Sequence, residues 1–273
     1  MLHNAAWIGH RVALPAAPAD LRAGGVTSRG VFLFTPSDEV FFLSTEPYRG
    51  PLTMNLTANP PQVRPGDPVF FEGRQLRFPG GAILSLDMAR AWAPTPTPAR
   101  QAAPLARAGL LRAVAAEILS HNPRAGLAPV LGPLCGLPFP PLPAELYAAE
   151  QVLSAPDSAA ALPALLGLGR GLTPSGDDFI AGYLLAAART GSGQPAGFAT
   201  NLTAAARART TTLSAALIAA AAAGSADERL IRACDALLSA DQPPAEVYAL
   251  LAAYGSSSGL DAFAGMAAFS LSH

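Results

Sequence analysis

The sequence contains no lysine, so all 18 basic side chains are arginine. That excludes a Schiff-base lysine, a phosphate-loop lysine and a Ser–Lys dyad. Any cation the protein uses is a guanidinium, suited to forked recognition of carboxylate or phosphate. The same bias, with its excess of Ala, Gly and Pro, is also what a GC-rich genome produces. Charge of either sign is scarce, 14% of residues, and sums to −1; nothing in that balance points to a nucleic acid. The two cysteines, Cys135 and Cys234, have no metal-ligand spacing and read as small core residues of a reducing compartment. His3, His10 and His121 are scattered and equally without ligand spacing. Long apolar runs are missing too. The longest, LSAALIAAAAAG at 213–224, is too short to span a bilayer. The opening MLHNAAWIGHRVALPAAPADL lacks a basic start followed by an unbroken apolar core. The expectation is a soluble cytoplasmic protein without a membrane or nucleic-acid partner.

What is present divides into two compositions. Residues 1–92 read as β. Gly30–Phe34 and Val40–Ser44 flank a TPSDE turn as a hairpin, followed by strands at 52–56, 69–72, 75–78 and 82–86. Short strands at this spacing predict a small barrel or sandwich. WAPTPTPAR, 92–100, is a stiff Pro-rich stretch, read as a linker over 93–100. From 101 to 273 the chain is rich in Ala and Leu, with helices expected at 103–121, 143–154, 157–166, 176–190, 196–222, 226–239, 244–254 and 259–270. The fold class is therefore α+β: a β-rich N-terminal domain, barrel or sandwich, then an Ala-rich all-helical C-terminal domain. Between two of the helices, NPRAGLAPVLGPLCGLPFPPL at 122–142 holds too much Pro and Gly for regular structure. It is long for a bare connection, which suggests a packed functional loop.

The most informative stretch is GLGRGLTPSGDDFIAG, 167–182. Its pattern S-G-x-D-x-x-A-G, Ser175 to Gly182, recurs from Ser258 to Gly265, each time between a Gly/Ser-rich turn and an apolar helix. One reading is a pair of capping boxes, in which Ser175 and Asp178, and likewise Ser258 and Asp261, satisfy the first turn of their own helix. The glycine four residues beyond each acid would then let another backbone approach. That reading leaves out Asp177, and it does not explain glycines at 167, 169 and 171. Those glycines permit positive φ and close approach of a ligand. A helix N-terminus behind such a loop suits an anion, and two adjacent carboxylates beside an anion suggest a bridging Mg²⁺. If the two copies form a pseudo-twofold helical domain, both N-termini converge on one place, with Asp177, Asp178 and Asp261 at its edge.

GLGRGLTPSGDDFIAG with a later SSGxD stretch closely resembles the signature of a bacterial family that includes AllH. AllH is a subunit associated with the oxamate carbamoyltransferase of anaerobic allantoin breakdown. Arg170 stands where the family pattern has a small residue or proline. The resemblance implies a role, as one of several subunits, in moving a carbamoyl group between phosphate and oxamate. It also implies a small anionic substrate and partner carbamoyltransferase subunits.

Such anions need N–H donors, arginines and hydroxyls. The expected binding residues are Gly169, Arg170, Gly171, Thr173, Ser175 and Gly176 in the first copy. Arg209, Thr211 and Thr212 come from ARARTTTLS (206–214), with Arg207 and Thr210 beside them, and Ser258, Gly259 and Asp261 from the second copy. Asp177 or Asp178 would be the catalytic base and the place for Mg²⁺, if either is used. The alternative is a non-enzymatic binding or assembly protein in which these motifs cap and pack helices. Two other signals fail. GSSSG at 255–259 matches a nucleophile elbow but follows a helical pattern, and the one histidine after it is His273. GLGRG has Leu172 where a dinucleotide fingerprint needs glycine.

Overall fold

A computed structural model describes residues 2–98, 101–153, 158–191 and 197–272. It forms two compact units, 1–94 and 95–273. His273, the last two residues of the linker, and the expected helix ends at 154, 157 and 196 lie outside the described residues.

The first unit is a β-barrel. Its strands are β1 (Leu2–Gly9), β2 (Ala19–Thr27), β3 (Gly30–Phe34), β4 (Val40–Ser44), β5 (Thr53–Leu56), β6 (Pro68–Glu72), β7 (Gln75–Arg77), β8 (Ile83–Ser85) and β9 (Arg90–Trp92). The order β5-β4-β3-β2-β6-β7-β8-β1 closes through β1 and β5, giving eight strands around the barrel. β9 continues the edge of β8 along the second half of β1. Closure leaves alternate residues inside: Val31 and Leu33 of β3, Phe41 and Leu43 of β4, Val69 and Phe71 of β6. The expected β3–β4 hairpin is present, Phe32 opposite Phe42. β2 carries a bulge at Gly24, where the Phe34 ring lies over the backbone and leaves no room for a Cβ.

The second unit is helical: α1 (Pro104–His121), α2 (Leu131–Leu134), α3 (Tyr147–Leu153), α4 (Ser158–Ala161), α5 (Ser175–Thr190), α6 (Phe198–Arg209), α7 (Thr212–Ala222), α8 (Glu228–Ser239), α9 (Pro244–Ala252) and α10 (Ser258–Ser272). The Pro-rich run 122–142 contains a 3-10 turn at 128–130 and the short α2. The single helix expected over 196–222 is two, α6 and α7. They break at Thr210 and Thr211, because the Thr211 hydroxyl caps α7 by accepting from Ser214 N at 3.0 Å.

α5 and α10 form the centre. In α10, Gly259–Phe269 are buried without interruption, as expected of a helix surrounded on all sides. The two helices touch backbone to backbone at the motif glycines. A Cβ on Gly182 would stand 1.9 Å from the Ala262 carbonyl oxygen, and one on Gly265 the same 1.9 Å from that of Phe179. Phe179 and Ala262 occupy the same place in the two motif copies, so the contact is reciprocal, as a pseudo-twofold axis requires. Beyond it Tyr183 meets Phe269 edge to face, ring centroids 5.2 Å apart. Away from this centre, Arg189 of α5 is buried and bonds both carboxylate oxygens of Asp235 on α8, at 2.6 and 2.7 Å. It also holds the carbonyls of Thr95 and Pro96.

Candidate functional site: two crossed helix N-termini

The turns leading into α5 and α10 are built alike. Leu168 N donates to Leu165 O and Gly176 N to Leu168 O, at 2.9 and 2.8 Å; Tyr254 N donates to Leu251 O and Gly259 N to Tyr254 O, at 3.1 and 3.0 Å. Gly176 and Gly259 press against the preceding turn, a Cβ on either falling about 2 Å from the carbonyl of Leu165 or Leu251. The copies differ in loop length. Residues 170–174 separate Gly169 from Ser175, whereas only 256 and 257 separate Gly255 from Ser258. The three additional residues carry Thr173 across to the other copy, where its hydroxyl lies 3.1 Å from that of Ser258.

The acids pair across the axis. Beside Asp178 lie the hydroxyls of Ser258 and Thr173, which favour its charged form. Beside Asp261 lie those of Ser175 and Ser257, and its Oδ1 accepts from Leu127 N at 2.5 Å. Pro174, not Ser175, precedes the first turn of α5, and no side chain caps it. The Ser175–Asp178 capping box is therefore replaced by crossed contacts between α5 and α10. Asp178 is 5% exposed and Asp261 fully buried. One oxygen of each, Oδ2, is buried without a hydrogen-bond partner. Burial pushes the Asp178 carboxyl well above the usual carboxylate range; the Ser258 hydroxyl opposes this, and the neighbouring Asp261 adds to it. Burial likewise raises Asp261, to about 6, against the opposing bonds from Leu127 N, Ser175 and Ser257.

Asp177 has different partners. Its Oδ1 accepts from Gly167 N at 2.9 Å and its Oδ2 from the Thr210 hydroxyl. The adjacent acid therefore anchors the glycine loop to the end of α6, and a Mg²⁺ shared by Asp177 and Asp178 would compete with those bonds. Among the described residues no group of three His, Cys, Asp or Glu gathers to hold a metal. Thr211 donates to Leu172 O at 2.8 Å, tying the start of α7 to the same loop. Gly167, Gly169 and Gly171 all have positive φ, at 77°, 114° and 98°. The alternation turns residues 169–172 outward, where all four are exposed. Arg170, Arg207 and Arg209 are exposed around this loop, with no ion pair among the described residues.

These bonds bring together the expected residues of 169–178, 209–211 and 258–261, and Thr212 opens α7 beside them. The sequence reading missed Leu127 and Ser257. Leu127 belongs to the Pro/Gly-rich run singled out as a packed loop. Its neighbour Gly126, φ 49°, passes so close to Asp261 that a Cβ there would lie 2.2 Å from Oδ1. A glycine in a run of that kind was the available signal. The arrangement can do two things chemically. Buried carboxyls with raised pKa are stronger proton acceptors than ordinary carboxylates and hold the proton to higher pH. Exposed guanidinium groups beside a turn of alternating backbone sign attract an anion.

Residues 165–270 match the model of the family described as oxamate carbamoyltransferase subunit AllH. The matched span contains both motif copies and none of the barrel. No curated protein and no solved structure matches the chain.

Proposed function

We propose that this chain is a subunit of a carbamoyltransferase-type enzyme acting on small anions such as carbamoyl phosphate and oxamate, alongside other subunits. The observation that carries the reading is the coincidence of the matched family span with the residues that build the crossed site. In this reading Arg170 and Arg209 take the anionic end of the substrate at the 169–172 loop. Transfer requires the amide nitrogen of oxamate to attack the carbamoyl carbon. The bond from that carbon to the phosphate oxygen breaks, phosphate leaves with the electron pair, and the nitrogen gives up a proton. Asp178 is the acceptor for that proton, since burial has raised its pKa above the usual carboxylate range, making it a stronger base, and one oxygen has no partner. Asp177 acts through position, holding the loop that carries Arg170.

The test is a thermal-shift series on the intact protein with carbamoyl phosphate, phosphate, oxamate and oxalurate, each with and without Mg²⁺. A ligand at 100 times its dissociation constant stabilises by about 2.7 kcal/mol, a shift of roughly 5–10 °C for a protein near this size. The reading expects such a shift with carbamoyl phosphate, lost in Arg209→Ala. It also expects transfer activity, alone or with partner subunits, to disappear in Asp178→Asn. No shift with any of the four ligands, before and after addition of co-purifying subunits, would favour the second reading. In that reading the motifs serve only to pack α5 on α10, as the complete burial of Asp261 also allows.

A further inference from the structure

The Pro-rich run does more than cover Asp261. Between α1 and residues 123–146 lies a groove of about 980 Å³, at the upper end of small-molecule sites. An anion the size of oxamate or phosphate would leave most of it empty. Leu119, Leu137, Phe139 and Leu146 line it together with six prolines from Pro123 to Pro143. Each proline fixes its own φ, which narrows the conformations open to this wall. Among its described lining residues the one charged side chain is Arg124. It is exposed and makes no ion pair or hydrogen bond among the described residues. Among the described lining residues there is no acid. Its floor includes Gly126, immediately before the Leu127 N–H that Asp261 accepts.

We propose that this groove binds a small amphipathic anion, with an apolar ring or chain against Phe139 and the prolines and a carboxylate, sulfonate or phosphate group on Arg124. The occupant follows from charge and shape together. A single unpaired guanidinium in a largely apolar wall, with no acid among its described lining residues, attracts one negative charge and leaves the rest of the ligand to be buried by contact. This site is separate from the 169–178 loop and stands whether or not the carbamoyltransferase reading holds.

Two fluorescent probes test it on the full chain: anilinonaphthalene sulfonate, and phenylnaphthylamine, the same ring system without the sulfonate. The expected result is saturable binding of one sulfonated probe per chain. Arg124→Ala should weaken that probe about tenfold or more and leave the neutral one within about twofold, the difference being one charge-assisted contact. Ala116→Trp, on the exposed side of α1 that lines the groove, should abolish both with unchanged circular dichroism; Ser120→Trp is the second filling variant if that one does not fold. Non-saturable binding would overturn the proposal, as would equal loss of both probes in Arg124→Ala. So would binding untouched by either filling variant, or displacement of the probe by self-association at high protein concentration.

Discussion

Replacing Gly265 by alanine tests the central packing directly. In an exposed helix interior the change is favourable, because alanine is the better helix former by about 1 kcal/mol. At Gly265 the new Cβ would stand 1.9 Å from Phe179 O and 2.8 Å from Tyr183 N, where ordinary contact begins near 3.4 Å. Both obstructing atoms belong to helix backbone and cannot rotate away, so α5 and α10 must part by more than an ångström. Separating the most completely buried helix pair undoes packing along its whole length. Overpacking of this kind costs about 1–3 kcal/mol and occasionally more, which outweighs the propensity gain. The internal control is Gly109, in the exposed interior of α1, where a Cβ meets nothing within 4 Å. Followed by far-ultraviolet circular dichroism, Gly265→Ala should lower the melting temperature by roughly 4–8 °C and Gly109→Ala should raise it by about 2–4 °C. If the two variants moved the same way, upward, the backbone contact between α5 and α10 would be refuted.

Three further outcomes follow from buried polar groups. Arg189→Met would strand the Asp235 carboxylate beside a buried apolar side chain, and urea unfolding should show a loss of about 3–5 kcal/mol. Asp178 and Asp261 have folded pKa values above their unfolded ones, so the folded state binds more protons across that interval. Their contribution is present at acidic pH and is lost as pH rises, for Asp261 through about 4 to 6; the melting temperature should fall over that range in the wild type, and fall less in Asp261→Asn. Burial raises the thiols of Cys135 and Cys234 to about 11 and about 12. Iodoacetamide should therefore leave both unmodified in the native protein at neutral pH and label both in denaturant.

The parts of the fold legible in sequence were those set by local patterning. Val31, Leu33, Phe41 and Leu43 alternate across a turn, so the β3–β4 hairpin could be placed. β1 could not: LHNAAWIG is small and polar for a strand, and its role comes from serving three partners, β5, β8 and β9, that are distant in sequence. β2 was obscured by the two glycines of its bulge. Among the helices, α6 and α7 merged because Thr210 and Thr211 sit within an alanine-rich run, and the break depends on one hydroxyl turning to cap. At the candidate site the motif repeat marked residues that the structure brings together, and glycine spacing foretold the close helix approach. The pairing was not legible. Capping arithmetic considers bonds three residues apart, whereas Asp261 bonds Leu127, 134 residues away, and Asp178 lies beside a serine of the other copy. Asp177 seemed unexplained only because its partners, Gly167 and Thr210, lie outside its own helix.

The measurement closest to the central claim is a pair of double-mutant cycles on unfolding free energy. The first combines Asp178→Asn with Ser258→Ala, across the axis; the second combines Asp178→Asn with Ser175→Ala, along one helix. The crossed arrangement predicts a coupling of about 0.5–3 kcal/mol in the first and additivity to within about 0.5 kcal/mol in the second. Coupling within α5 together with additivity across to α10 would restore two independent capping boxes and contradict the single, shared site.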